Sequence, residues 1–145
     1  MTSDEQANPP YEVLEHTADV GLRIYGGTLA ELFANAGRGL MALAIEPQRI
    51  EEKEQLPISA TGSDLEQLLV NWLSEILYHM DAEGWLFARF SIKACSPTAI
   101  AGEGLGERQD PASRRRAVAV KAVTYHQLSV RQTPDGWEAV VYFDI

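Results

Sequence analysis

The chain has 145 residues, and its 12 Lys and Arg residues against 21 Asp and Glu residues leave a formal net charge of −9. Apolar residues make up 46% of the sequence and charged residues 23%, which is typical of a folded globular protein and excludes an intrinsically disordered one. The acidic balance argues against a broad basic surface for nucleic acid, and the single cysteine excludes a disulfide framework or a multi-cysteine zinc site.

Residues 1–10 are polar, hold two prolines and show no apolar periodicity. They predict a disordered tail in front of a single domain that spans residues 11–145. They lack the features of a secretory signal, and no stretch of the chain nears the roughly 18 consecutive apolar residues of a membrane span. We therefore expect a cytoplasmic protein without membrane contact.

The first third of the domain predicts two strands and a helix. Apolar residues alternate with polar ones over residues 11–13 and 20–24, which is typical of short strands. Thr28 and Glu31 have the spacing of a capping box and are followed by an apolar stripe at helical spacing. Two glycines inside this helix predict the close approach of another element.

The middle of the chain predicts an edge strand, a second helix and a third strand. Pro57 interrupts an extended stretch, and proline is confined to edge positions of sheets. Ser63 and Glu66 predict a second capping box, which opens a helix with a wide apolar face that stops at Gly84. Residues 85–95 then predict a strand.

The last third predicts a glycine-rich excursion followed by three strands. Residues 96–116 hold several glycines and prolines and are interpreted as a long flexible hairpin excursion. Residues 117–124 and the segments on either side of a turn at 133–136 predict the strands. The element order indicates an α+β fold in which two helices pack on one face of a mainly antiparallel β-sheet.

Several residue patterns argue against catalysis of familiar kinds. Gly102, Gly104 and Gly106 do not lead into a helix, as a phosphate-binding loop requires. His79 lies beside the apolar face of the second helix, which favours a structural role, and Cys95 is interpreted as an inert thiol. The run Arg114–Arg116 is interpreted as a solvated loop, with contact to an acidic partner or to RNA left open.

Acidic residues near both ends of the sequence suggest a metal site. His16 and Asp19 lie between two predicted strands, and Asp144 and Ile145 follow an apolar strand directly. If these strand ends are neighbours, two aspartates and the Ile145 main-chain carboxylate converge and repel one another unless a cation neutralises them. Such an oxygen-only set suits Ca²⁺ or Mg²⁺ better than zinc, whereas solvated strand ends are the alternative.

Several blocks of the sequence resemble the archease family. Glu15–Gly21 (EHTADVG) is similar to the N-terminal signature of that family, and Asp64–Leu77 is similar to its second helix. Val120–His126 (VKAVTYH) resembles its most recognisable strand, and Asp144-Ile145 resembles its ending. The blocks occur in matching order between Tyr11 and Ile145.

The resemblance implies the archease fold and a non-catalytic accessory role. Members of this family assist the GTP-dependent RNA ligase of the RtcB family, which joins RNA ends in tRNA splicing and RNA repair. They promote transfer of guanylate onto the active-site histidine of the ligase and help it to turn over repeatedly. On this basis the chain is expected to contact a ligase directly, and tRNA or other RNA only through that ligase.

The resemblance also implies a divalent ion, calcium in the family, and its ligands. Carried onto this sequence, the ligands are Asp19, Asp144 and Ile145. Three neighbours are expected to contact the ligase or to support the site: His16, Lys121 and His126. The sequence departs from the family where a histidine often precedes the VKAVTYH strand, because Arg114–Arg116 stands there instead.

Two other functions are compatible with the same residues. A stand-alone metal-dependent phosphoesterase would use Asp19 and Asp144, with His16 or His126 as the acid–base group, and would turn over a phosphate ester without a second protein. A chaperone-like interaction module without a functional metal would bind its partner equally well after removal of the aspartates.

Overall fold

A computed structural model describes residues 9–15, 19–110 and 116–145 of the chain. In chain order its elements are β1 (Tyr11–Glu15), β2 (Asp19–Gly26), α1 (Leu29–Ala44), β3 (Glu54–Thr61), α2 (Leu65–Glu83), β4 (Trp85–Ser96), β5 (Ala99–Arg108), β6 (Ala122–Val123), β7 (Ser129–Thr133) and β8 (Gly136–Asp144). The predicted α+β class is confirmed. Neither helix in this part of the chain is long and apolar enough to cross a membrane.

The strands form two antiparallel sheets, a division that the alternation patterns do not specify. The larger sheet has the order β1-β2-β8-β6, and β7 also pairs with β8. β7 and β6 share one edge of β8, since β7 pairs with its first half and β6 with its last two residues. The smaller sheet has the order β3-β5-β4, so β3 is an edge strand, as Pro57 predicted.

Each helix begins at a polar cap, but only the first cap is the predicted one. The Thr28 hydroxyl oxygen accepts a hydrogen bond from the Glu31 N–H at 3.1 Å, and Glu31 in turn accepts one from the Gly27 N–H at 2.7 Å. The prediction that Thr28 caps α1 is therefore confirmed, with Glu31 reaching one residue further back than in a standard capping box.

The prediction that Ser63 and Glu66 cap α2 is wrong. Asp64 is the N-cap residue, since its carboxylate accepts a hydrogen bond from the Gln67 N–H at 2.8 Å. Ser63 lies one position earlier and donates from both its N–H and its hydroxyl to the Gln67 side chain. Glu66 accepts a long bond, 3.4 Å, from the Val130 N–H of β7, so its carboxylate serves tertiary packing instead.

Both helices contact both sheets and bury a shared core between them. Trp72 of α2 is fully buried and donates from its indole N–H to the Phe33 carbonyl of α1 at 3.0 Å. A Cβ added to Gly37 would lie 2.6 Å from the Phe90 ring of β4, and one added to Gly39 would lie close to β2. The predicted close approach to the helix glycines is therefore confirmed.

The interpretation of residues 96–116 as a flexible excursion is wrong for residues 99–108. These residues form β5, the central strand of the smaller sheet, although β4 and β5 do form the expected hairpin. A Cβ added to Gly104 would collide with the Phe87 ring, and one added to Gly106 with the Leu86 carbonyl oxygen. The glycines are therefore needed for close packing against β4 rather than for flexibility.

The strand predicted over residues 117–124 is also largely wrong, because only Ala122–Val123 form a strand. The Val120 N–H donates to the Val118 carbonyl at 3.1 Å, and the Ala117 N–H donates to the Ala44 carbonyl at the end of α1. These donors are used locally or by the helix, so they are lost to a ladder. The turn predicted at residues 133–136 is confirmed and joins β7 to β8.

Two predictions fall partly or wholly outside the described residues. The expected tail, residues 1–10, is described only at Pro9 and Pro10, so the domain boundary stays a prediction. Arg114 and Arg115 lie outside the described residues, whereas Arg116 forms a β-bridge with Ile45 and lies 4.0 Å from the Asp81 carboxylate.

Candidate metal centre at the end of the larger sheet

Asp19 and Asp144 are direct cross-strand partners in the larger sheet. Asp19 is the first residue of β2 and Asp144 is the last residue of β8, and the antiparallel register pairs them. Paired residues in such a ladder have Cα atoms about 4.5–5.5 Å apart and side chains on the same face. The two carboxylates therefore project side by side at one end of the sheet.

The alternation of buried residues fixes which face carries the carboxylates. Leu22 of β2 and Phe143 of β8 are fully buried and face the helices. Because side chains of a strand alternate between its faces, Asp19 and Asp144 must lie on the opposite, outer face. A slip of one residue in either strand would turn an aspartate into the core, so the hydrophobic pattern fixes the position of the pair.

The pair is shielded on one side and open on the other. Asp19 is half-buried and its Oδ1 atom is inaccessible to solvent, whereas Asp144 is exposed. Ile145 follows Asp144 directly and is 41% exposed, so this side of the pair is open to solvent. An ion could therefore reach the carboxylates from solvent, and it would relieve the repulsion between them.

Lys121 is brought to the same sheet end through its backbone. Its N–H donates to the Asp144 carbonyl at 2.8 Å, and the next residue, Ala122, is the register partner of Asp144. Lys121 also lines a groove of about 330 Å³ between β6 and α2, together with Tyr78 and Asp81. Lys121 therefore lies between the carboxylate pair and this groove.

His126 lies against this sheet end through an aromatic contact. Its exposed ring meets the ring of Tyr142 edge-on, with the centroids 5.6 Å apart. The backbone N–H of His126 donates a hydrogen bond to the Thr124 hydroxyl oxygen at 3.2 Å. Tyr142 lies two residues before Asp144 on the same face of β8 and is missing from the sequence predictions, although strand alternation could have identified it. His16 lies outside the described residues.

The oxygen atoms at this end fit a hard cation. Within the described ranges, His, Cys, Asp and Glu side chains form no group of three or more that could hold a metal ion. A site here therefore depends on the two carboxylates of Asp19 and Asp144 together with main-chain oxygens of Ile145. Calcium and magnesium accept carboxylate and carbonyl oxygens of this kind and fill their remaining positions with water.

The other titratable residues singled out from the sequence lie away from this centre. His79 contacts Glu83 at 2.7 Å and Glu75 at 3.7 Å, each one helical turn away, which agrees with a structural role on α2. Burial raises the pKa of the Cys95 thiol. A raised pKa leaves the thiol protonated near neutral pH, as expected for an inert cysteine.

A larger cavity, about 650 Å³, lies at the opposite end of the larger sheet. It is lined by α1 and by the β7–β8 turn, including Asn35 and Trp137. Tyr25 also lines it, and burial raises the pKa of the Tyr25 hydroxyl. None of the candidate site residues that the structure describes lines this cavity, so it is separate from the carboxylate pair.

The fold and the site together define an α+β domain of two antiparallel sheets and two helices, with an aspartate pair at one sheet end. Residues 11–145 match the model of the archease protein family (MTH1598/TM1083), and the chain belongs to this family. The resemblance found in the sequence is therefore confirmed.

Individual relatives agree over nearly their whole lengths. The protein named archease from Pyrococcus furiosus is 38% identical over 139 residues, which cover 93% of this chain and 98% of that protein. The archease of Methanosarcina acetivorans is 37% identical and is covered to 95%. The solution structure of protein 1598 of Methanobacterium thermoautotrophicum matches with a TM-score of 0.81 and 29% identity, covering 94% of this chain and 99% of that one.

Proposed function

We propose that this protein is a non-catalytic accessory protein of a GTP-dependent RNA ligase of the RtcB family. In this role it promotes guanylylation and repeated turnover of the ligase in tRNA splicing and RNA repair. Membership of the archease family supports the partnership. The net charge of −9 supports contact with a protein rather than with the RNA itself, because phosphate backbones require basic surfaces.

The proposal includes a divalent metal centre, with calcium or magnesium held by Asp19, Asp144 and the main-chain oxygens of Ile145. The observation that carries it is the direct cross-strand pairing of the two aspartates. Like charges placed opposite each other on a sheet are destabilising, so their pairing at an open sheet end is best explained by a cation. The ion would supply positive charge for the neutralisation of phosphate groups.

The residues around the pair have defined tasks in this proposal. Asp19 and Asp144 bind and orient the cation, and the rigid β2–β8 ladder keeps the two carboxylates at a fixed separation. The Lys121 N–H holds the Asp144 carbonyl and so fixes the end of β8. Lys121, His126 and His16 are proposed to contact the ligase or to support the site.

The test is a time course of guanylylation of the cognate ligase with GTP, with and without this protein. We expect Asp19→Ala to lose most of the stimulation. Asp135→Ala is the matched control, because it removes one exposed aspartate just before β8, about 30 Å along the strand direction from Asp144. The control should stimulate the ligase like the wild-type protein.

The same experiment separates the possible functions. Undiminished stimulation by Asp19→Ala would exclude a functional metal centre and leave an interaction module. The accessory role would be overturned if the wild-type protein had no effect on the ligase but hydrolysed a phosphate ester on its own.

A further inference from the structure

Tyr142 lies across the outer face of the larger sheet, next to the aspartate pair. Its register partner is Gly21, and a Cβ added to Gly21 would lie 2.8 Å from Cε2 and 2.9 Å from Cζ of the tyrosine ring. The ring therefore extends from β8 over β2 and occupies the space that a side chain at position 21 would need. Tyr142 is only 5% exposed, although it lies on the face turned away from the helices.

The ring is held in this position from two sides. The Tyr142 carbonyl accepts hydrogen bonds from the Thr124 N–H at 2.9 Å and from the Thr124 hydroxyl at 3.1 Å, which fix the backbone of β8. The exposed ring of His126 lies against the tyrosine ring with 5.6 Å between centroids. Gly21 below and His126 beside the ring thus restrict its movement.

The same register makes Tyr142 the diagonal neighbour of Asp19. Asp19 pairs with Asp144, and Tyr142 lies two residues before Asp144 on the same face. Diagonal neighbours in an antiparallel pair are within reach of an aromatic side chain. Asp144, the direct partner, is exposed, whereas Oδ1 of Asp19 is inaccessible to solvent.

We infer that Tyr142 is a positioning residue for the metal centre. Its ring packs against Gly21 and His126 and limits the space open to the Asp19 side chain, which keeps the Asp19 carboxylate in its binding orientation. The inference deepens the proposed function, because it concerns the same metal centre. Residues that orient a metal ligand in this way typically change affinity by about 10–100-fold when they are replaced.

The experiment compares three substitutions. Gly21→Ala forces the ring to shift without replacing any carboxylate. The chain should still fold, because the atoms nearest the added methyl belong to a side chain and not to the backbone. Tyr142→Leu removes the ring, and Tyr142→Phe keeps it. Gly27→Ala is the matched control, since its added methyl would meet only the Glu31 side chain, at 3.0 Å, and no residue of the metal centre.

Two measurements are made on each purified protein. Calorimetric titration with CaCl₂ should show affinity at least about tenfold weaker in Gly21→Ala and Tyr142→Leu, and within about twofold of wild type in Tyr142→Phe and Gly27→Ala. Scalar couplings measured by NMR on the metal-free proteins should show one dominant χ1 rotamer of Asp19 in the wild type. Several rotamers should appear in Gly21→Ala and Tyr142→Leu.

The two measurements separate the inference from the proposed function. If the wild-type protein binds no calcium but Gly21→Ala changes the Asp19 rotamer, the metal centre is wrong and the positioning role stands. If Asp19 keeps its rotamer in Gly21→Ala and Tyr142→Leu, the inference is overturned whatever the calcium affinity. Equal losses of affinity in Tyr142→Phe and Tyr142→Leu would also overturn it, because the hydroxyl and not the ring would then be responsible.

Discussion

Asp19 at the start of β2 is the direct cross-strand partner of Asp144 at the end of β8. Residues from near both ends of the sequence thus meet in one ladder, with Ile145 immediately beyond the pair. Two like charges placed opposite each other reduce the stability of a sheet. In the proposed function, a hard cation bound between the two carboxylates would offset this repulsion.

The cap of α2 gives a first prediction. Asp64→Ala removes the carboxylate that accepts the Gln67 N–H, and helix caps of this kind are worth about 1 kcal/mol. The free energy of unfolding, measured by urea denaturation, should fall by about that amount. Ser63→Ala should lower the free energy of unfolding by less, because it leaves the Asp64 cap intact. A larger loss in Ser63→Ala than in Asp64→Ala would indicate that Ser63 is the N-cap residue instead.

The glycines of β5 give a second prediction. Gly106→Ala places a methyl group against the Leu86 carbonyl oxygen, where backbone would have to move. Overpacking of this kind costs about 1–3 kcal/mol, so the midpoint of thermal unfolding should fall by several degrees. Gly27→Ala, whose added methyl would meet the Glu31 carboxylate and no backbone, is the control and should cost less stability than Gly106→Ala. A wild-type melting temperature in Gly106→Ala would contradict the packing role.

The Cys95 thiol gives a prediction about pH. Burial raises its pKa, so folding favours the protonated form. This contribution to stability is complete below the pKa of an unfolded thiol, about 8.5, and is lost as the pH rises from there through the folded pKa. The pH profile of alkylation by iodoacetamide should therefore have a higher midpoint in the folded protein than in urea. The same alkylation midpoint in the folded protein and in urea would contradict the raised pKa of the Cys95 thiol.

The sequence predicted those features that depend on local chemistry. The Thr28 cap, the stop of α2 at Gly84 and the turn at residues 133–136 each follow from short patterns, and the structure has them. The sequence places Asp19 between two predicted strands and Asp144 directly after an apolar strand, and these positions also sufficed to suggest that the two side chains meet. Their assignment as metal ligands stays a prediction.

The errors arose where contacts with residues distant in the sequence determine the local structure. Gly102, Gly104 and Gly106 have the composition of a loop, and only contact with β4 explains why they form a strand. The alternation over residues 117–124 is typical of a strand, but the Val120 N–H bonds locally. Strand alternation could have placed Tyr142 on the same face as Asp144, but only the register shows that its ring lies over Gly21.

The central claim is that the Asp19–Asp144 pair binds a hard divalent cation, and calcium titration monitored by calorimetry and thermal unfolding tests it most directly. The wild-type protein should bind one equivalent of Ca²⁺ and, at a free concentration 100 times the Kd, gain about 2.7 kcal/mol of stability. Asp19→Asn and Asp144→Asn should weaken binding at least about tenfold, whereas Asp135→Asn should bind like the wild type. Equal calcium affinity in the wild type and Asp144→Asn, or no binding by the wild type, would contradict the claim.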